Sequence, residues 1–324
     1  MGEKMMIQKL LLLTFIALSL SCTPSENTKP DTDPEEIEVP DRLKLGYSLG
    51  AQGFTNEKLQ HAKAVGIDYV EVSGTSAFFN NNREITKTDA ELKSIFANVL
   101  TVTETAGIKV NSIHMVADAY MDLSTIIEAD RQKVVAGHIQ LLDYIKVLKP
   151  TYILFHPSYY LDPPNQREQR KSQLLKSLNE LNEAVQAIGS ILVVENMLGP
   201  ALMAGERERP LMRNIEECKE IMDRLPQNIG LAVDMCHIDN PELLIRALGS
   251  RLKTVHVSDG TGRAENHYFP CSGQGDNDWN AILKALDDVG YTGVFLYECA
   301  YDDERDLVNC YNTLYENYVK SLKK

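Results

Sequence analysis

Four things are missing from this sequence, and each absence removes a class of protein. No C-x-x-C pair joins the scattered cysteines Cys22, Cys218, Cys236, Cys271, Cys299 and Cys310, so clustered-thiolate metal modules and dithiol redox motifs are out. No basic cluster is long enough to hold a nucleic-acid backbone, and the net charge of −13 disfavours polyanionic partners. No G-x-G-x-x-G follows the first apolar run, where Gly46 and Gly50 lack the spacing, which argues against an open dinucleotide-binding sheet. No apolar stretch approaches the roughly 20 residues that cross a bilayer.

The longest apolar run, Leu10 to Leu20, follows Lys4 and Lys9 and stops at Ser21-Cys22. That is the pattern of an export signal, and Cys22 after small and apolar residues resembles a bacterial lipoprotein box, in which the cysteine is acylated. Residues 1–21 are therefore expected to be a lipoprotein-type signal and 22–42 a disordered tether, because Thr23 to Pro40 has almost nothing to bury. The chain would be lipid-anchored through Cys22 in the cell envelope. Of the five remaining cysteines an odd one must stay unpaired within the chain, and Cys236 and Cys299 read as small buried hydrophobes.

From Leu43 on, short apolar runs alternate with helix-period segments. Strands are expected at Leu43 to Ser48, Tyr69 to Val72, Lys109 to His114, Tyr152 to His156, Ile191 to Glu195, Gly230 to Asp234, Leu252 to Val257 and Gly293 to Glu298. Helices fall between them, among them Asp89 to Thr105, Asp130 to Leu148, Gln166 to Ala187, Trp279 to Val289 and Asp303 to Leu322, with Asn214 as a cap and Pro241 opening a short helix. Eight such units imply one α/β domain, a (β/α)8 barrel over residues 43–324. In that fold all strand C-terminal ends meet at one face. This gives meaning to a recurring pattern: an apolar run ending in a metal-capable side chain, as at His114, His156, Glu195, Asp234, His256 and Glu298. His114 and Glu298, 184 positions apart, would share one pocket.

Glu195, Asp234, His256 and Glu298 are three carboxylates and one imidazole. Such groups repel when they converge without a cation, so either their pKa values rise steeply or a divalent metal sits among them. Oxygen-rich ligation with one nitrogen favours Mn²⁺, with Mg²⁺, Co²⁺ and Zn²⁺ as alternatives.

At this point the chain resembles a family. Val194-Glu195-Asn196, Asp234-Met-Cys-His237, His256-Val-Ser-Asp-Gly260, His267 followed by Gly273-Gln-Gly275-Asp-Asn-Asp-Trp279, and Tyr297-Glu298 are similar to motifs of the xylose isomerase-like barrels, specifically the sugar phosphate isomerase/epimerase group. The resemblance implies that Glu195, Asp234, His256 and Glu298 ligate one divalent metal, that Glu195 and Glu298 also act as acid and base, and that His237 binds a substrate oxygen. His114 and His156 match positions of substrate-binding imidazoles or of ligands for additional metals, with a satisfied strand-end histidine as the alternative for each. His267 and Arg263 are further substrate-contact candidates, with Glu265 beside them, and Asn80 to Asn82 and Tyr159-Tyr160 are expected at the same mouth. His61 and His138 read as structural or exposed.

The function expected is a metal-dependent isomerase or epimerase acting by proton abstraction next to a carbonyl, through an enediolate. Phosphorylated sugars are chiefly cytoplasmic, so an exported barrel is expected to meet an unphosphorylated sugar or keto-sugar. A lyase or dehydratase on a keto-sugar or 3-keto-glycoside is the alternative, since the same enolate can expel a β-substituent. A nuclease is opposed by charge, and a non-catalytic sugar-binding lipoprotein by the intact set of strand-end groups; a homo-oligomer stays open.

Overall fold

The computed structural model describes residues 39–323. The expected signal, Cys22 and the tether up to residue 38 lie outside the described residues. Eight parallel strands close into a barrel: β1 (Lys44–Gly50), β2 (Tyr69–Ser73), β3 (Lys109–His114), β4 (Tyr152–Phe155), β5 (Ile191–Glu195), β6 (Gly230–Asp234), β7 (Leu252–Val257) and β8 (Val294–Tyr297). Each pairs with the next in sequence, and β1 closes on β8 from Lys44↔Val294 to Tyr47↔Tyr297. The helices alternate with them: α1 (Asn56–Val65), α2 (Asp89–Ala106), α3 (Glu128–Ile145), α4 (Arg167–Ala187), α5 (Ile215–Asp223), α6 (Pro241–Leu248), α7 (Trp279–Asp288) and α8 (Glu304–Leu322).

Local chemistry explains the element ends. Thr88 and Glu91 form a reciprocal capping box on α2, Asn214 accepts from Glu217 N at the start of α5, and Pro241 sits in the first turn of α6, where its missing N–H costs nothing. The strands read as nearly continuous apolar runs because both of their faces are buried, one under helices and one inside the barrel; every residue of β6 is buried.

The side-chain period of two then decides what enters the barrel. Register partners in parallel strands share a face, so Leu154↔Val193 and Glu195↔Ala232 place Leu154, Val193 and Ala232 inside, where they form a small buried cluster. Two positions further along the same strands come His156, Glu195 and Asp234. Asp234↔His256 and His256↔Leu296 carry the inward set on to β7 and β8, and two positions beyond Leu296 is Glu298. An apolar floor thus lies under a polar rim.

Some boundaries differ from expectation. β4 and β8 stop at Phe155 and Tyr297, so His156 and Glu298 lead their loops rather than end their strands. The segment expected to be helical from Asp130 to Leu148 begins at Glu128 and finishes as a 3-10 turn, Lys146–Leu148. The loop after β5 holds a hairpin, Met203–Ala204 with Arg207–Glu208, too short and too charged for a strand signal. His138 is fully buried against the rings of Phe79 and Phe155, a structural histidine, and His61 pairs with Asp303 at the surface. No helix among the described residues is long and apolar enough to cross a membrane.

Cys271 and Cys310 form a disulfide that ties the long loop after β7 to α8, while Cys218, Cys236 and Cys299 stay free. The bridge spans 39 positions, and a loop of that size is worth about 4 kcal/mol in the chain-entropy account. The Cys271→Ala/Cys310→Ala double variant is expected to lose stability of that order in urea unfolding; a loss under about 1 kcal/mol would mean the bridge constrains little.

Candidate active site

His256 is the hub of the strand-end cluster. Its Nδ1 is 3.0 Å from Glu195 Oε1, 2.6 Å from Glu298 Oε2 and 4.0 Å from Asp234 Oδ2. Its Nε2 is 3.1 Å from Glu71 Oε2, which also accepts a 2.7 Å hydrogen bond from Ser112 Oγ. Glu71 thus holds one ring nitrogen and turns the other toward the mouth, the arrangement by which a carboxylate orients a ligating imidazole. Glu71, Glu195, Asp234 and His256 are completely buried, whereas the Glu298 side chain is 24% exposed and faces the opening.

The fit to a cation rests on unsatisfied oxygens. Asp234 Oδ1 accepts from Cys236 N at 2.7 Å, and Asn196 clamps the Asp234 backbone through 2.9 and 3.2 Å hydrogen bonds, yet Asp234 Oδ2 has no partner. Glu195 Oε1 meets His256, yet Glu195 Oε2 has no hydrogen bond, although His156 Nε2 is 3.1 Å away. Buried carboxylate oxygens without a hydrogen bond are costly, and two of them beside an imidazole and a third carboxylate make a donor set for a divalent ion. One ligand atom from each of Glu195, Asp234, His256 and Glu298 lies within 4.8 Å of the others. Burial would raise the Glu298 carboxyl, but His256 outweighs it and holds it down at about 2; burial pushes Asp234 up.

A second polar layer sits above. The loop after β7 folds back because Gly262, at φ +67°, packs where a Cβ would lie 2.3 Å from Asp239 N. Asp259 and Tyr268 close that loop with paired backbone hydrogen bonds of 2.8 and 2.9 Å. Asp259 Oδ1 also accepts from Gly260 N and Asn277 N, and Oδ2 from Trp279 Nε1, so the Asp259-Gly260 and Gly273-to-Trp279 motifs build the loop. The loop delivers Glu265, whose Oε2 is 2.8 Å from His237 Nε2 and 3.1 Å from His267 Nε2. His267 is held at φ +42° with Nδ1 2.9 Å from the Glu298 carbonyl.

Most expected site residues therefore converge. His114 (Nε2 3.6 Å from Glu195 Oε2) and His156 flank Glu195, and their rings stand 4.9 Å apart. His237 differs from expectation: with Nδ1 bonded to the Asn196 carbonyl and Nε2 to Glu265, neither nitrogen is free for substrate until Glu265 moves. Arg263 is not brought in; its exposed side chain has no hydrogen bond or ion pair among the described residues, and its carbonyl accepts from Arg209. Asn80 satisfies its own turn, and Asn82 packs toward α3 beside Lys133 and Gly137. Glu71 escaped sequence reading because it lies in mid-strand rather than at a strand end. A lone acid between Val70 and Val72, on the inward parity, was its signal. Three further ligand-capable groups, His114/His156/Glu195, His114/His256/Glu298 and Asp234/Cys236/His237/His267, overlap the central four.

Residues 59–316 match the family described as the xylose isomerase-like TIM barrel. The chain belongs to that family. It is 25% identical over 171 residues to an uncharacterized protein of Methanocaldococcus jannaschii, covering 52% of this chain and 60% of that one. It is also 25% identical over 159 residues to fructoselysine 3-epimerase of Escherichia coli O157:H7, covering 47% and 54%. The chain thus spans little more than half the length of these relatives. Among solved structures it is similar to a D-tagatose 3-epimerase-like protein (TM-score 0.67, 18% identity, 87% of this chain and 98% of that one). It is similar too to 3-keto-D-glucoside 4-epimerase from E. coli in its apo form (TM-score 0.63, 18% identity, 84% and 100%). At these identities the likeness establishes the family's fold.

Proposed function

We propose that this member of the family is a divalent-metal-dependent epimerase or isomerase of an unphosphorylated sugar or keto-sugar. The observation that carries the reading is the pair of carboxylates, Glu195 and Glu298, brought to one imidazole nitrogen from strands three steps apart around the barrel, with Glu195 Oε2 and Asp234 Oδ2 making no hydrogen bond beside them. The names of the matched sugar epimerases point the same way.

Glu195, Asp234, His256 and Glu298 would hold the ion, and Mn²⁺ suits three oxygens and one nitrogen. A divalent cation, when bound, supplies positive charge for the carbonyl oxygen of the sugar. One carboxylate removes the proton from the carbon next to that carbonyl, and its partner returns one to the other face for epimerisation, or to the neighbouring atom for isomerisation. Glu71 keeps His256 oriented. His114 and His156, lining the β3 and β4 side of the mouth, hydrogen-bond substrate oxygens, and His237 and His267 do so once Glu265 yields. We place the protein in the envelope, lipid-anchored through Cys22 and away from phosphorylated cytoplasmic sugars; a disulfide, Cys271–Cys310, suits an oxidising compartment.

The test is incubation of Mn²⁺-loaded protein with D-fructose, D-tagatose, the matching aldoses and 3-keto-glycosides in D₂O, read by NMR. Deuterium is expected at a carbon next to the carbonyl, with an epimer or isomer accumulating. Loss of a β-substituent would instead make the enzyme a lyase, and no exchange with Mn²⁺, Mg²⁺, Co²⁺ or Zn²⁺ would remove proton abstraction altogether.

A further inference from the structure

Among the loops after β3, β4 and β5 lies a cavity of about 290 Å³, lined by charged and aromatic side chains, that none of the groups above uses. Its walls include Asp122, Tyr159, Tyr160, Asp162, Arg170 and Arg207. Asp122 comes from the loop after β3, the two tyrosines from the loop after β4 and Arg207 from the hairpin after β5. Strands β3 and β5 end at His114 and Glu195, and His156 directly follows β4. Tyr159 follows His156 by three residues, a span of at most about 11 Å of chain. The cavity is therefore built from loops on the same face of the barrel as the cluster.

Its construction is that of a binding site. Arg170, 6% exposed, is fixed by Asp122 Oδ2 at 3.2 Å and the Asp162 carbonyl at 2.6 Å, and Asp122 is held in turn by Ser124 Oγ at 2.6 Å. This rigid buried pair forms the floor. The rim is looser: the Arg207 guanidinium lies 4.4 Å over the ring of Tyr160, and Tyr159 stands nearly perpendicular to Tyr160 at 5.6 Å. Arg207 has no carboxylate partner among the described residues, and the Asp162 carboxylate has none either. Two guanidiniums and two carboxylates leave the cavity without net charge. Aromatic faces for the C–H side of a ring, with planar donors and acceptors for its hydroxyls, match a neutral polyol. The volume sits at the low end of ligand sites, roughly 300 to 1,000 Å³. It suits one ring.

We infer that this cavity is an outer subsite for a second, uncharged sugar ring, so that the substrate is a glycoside or disaccharide whose keto-sugar unit occupies the metal centre. The inference rests on the function proposed above and deepens it.

The test uses the full chain loaded with Mn²⁺ and compares D-fructose with the keto-disaccharides isomaltulose, lactulose and turanose in D₂O. Tyr160→Ala and Arg207→Ala, at half-exposed and exposed positions, serve as the variants. At least one keto-disaccharide is expected to exchange about tenfold faster than D-fructose at equal low concentration. Each variant should lower that preference about five- to tenfold, the worth of a stacking or hydrogen-bond contact, while exchange into D-fructose stays within twofold. Equal rates for both sugar classes, or variants that slow them alike, would overturn the subsite. Saturation-transfer NMR with unreacted isomaltulose reads the same cavity without turnover. Transfer to the second ring that disappears in Tyr160→Ala upholds the subsite even if no sugar exchanges, in which case the proposed reaction fails alone. Transfer that is absent, or indifferent to both variants, overturns the subsite whatever the reaction.

Discussion

Glu298→Gln is expected to slow deuterium exchange into the substrate by about 10² to 10⁴, the range that general acid–base groups contribute, and Glu195→Gln should do the same. Glutamine keeps the size of each side chain and an oxygen that can face a cation, but it accepts no proton. The two positions separate on a second readout. Glu195 is fully buried with both oxygens inside the cluster, so its amide leaves His256 and the ion less well compensated and bound metal should fall with activity. Glu298 is 24% exposed at the mouth, so Glu298→Gln should keep more metal while losing exchange. Metal content by elemental analysis beside the rate measures the split. Full exchange in Glu298→Gln would take this residue out of the acid/base pair.

Chelation is expected to abolish exchange and to lower the thermal midpoint. An ion that binds only the folded chain stabilises it by about 2.7 kcal/mol when present at 100 times its Kd. In a domain of this size that is roughly 5 °C or more. The direction follows from the buried carboxylates: removing a cation leaves Glu195 Oε2 and Asp234 Oδ2 buried without a hydrogen bond, with only imidazoles 3.1 to 4.0 Å away. Adding back Mn²⁺ should restore both quantities better than Mg²⁺. In Asp234→Asn the midpoint should no longer respond to metal. A wild-type midpoint and rate that ignore chelator would dismiss the metal reading. Glu71→Gln tests the support beneath: the ring of His256 loses its charged partner, and metal affinity should fall about 10- to 100-fold, the usual cost of losing such a support.

Much of the barrel was readable because it is written in local terms. Apolar runs of four to seven residues between capped, helix-period segments require strands buried on both faces, and their alternation requires parallel pairing with helical crossovers. The strand ends at His114, Glu195, Asp234 and His256 were legible for the same reason: a polar side chain after a buried run has to sit where the barrel opens. The long-range partners were not. Glu71 reaches His256 from 185 positions away, a contact that only barrel closure creates, and a mid-strand acid carries no local mark of it. Cys271 and Cys310 are equally silent in sequence, since any pairing of scattered cysteines is possible until a loop is laid on a helix. Loop conformation decided the rest. The turn at Gly262 brought Glu265 onto His237 and His267 and left Arg263 in solvent, although Arg263, Glu265 and His267 lie within five residues of one another in one polar loop. Periodicity and burial act between near neighbours and are carried by the sequence itself. The charge balance of the cluster depends on through-space distances of 3 to 4 Å, which exist only once eight strands have closed.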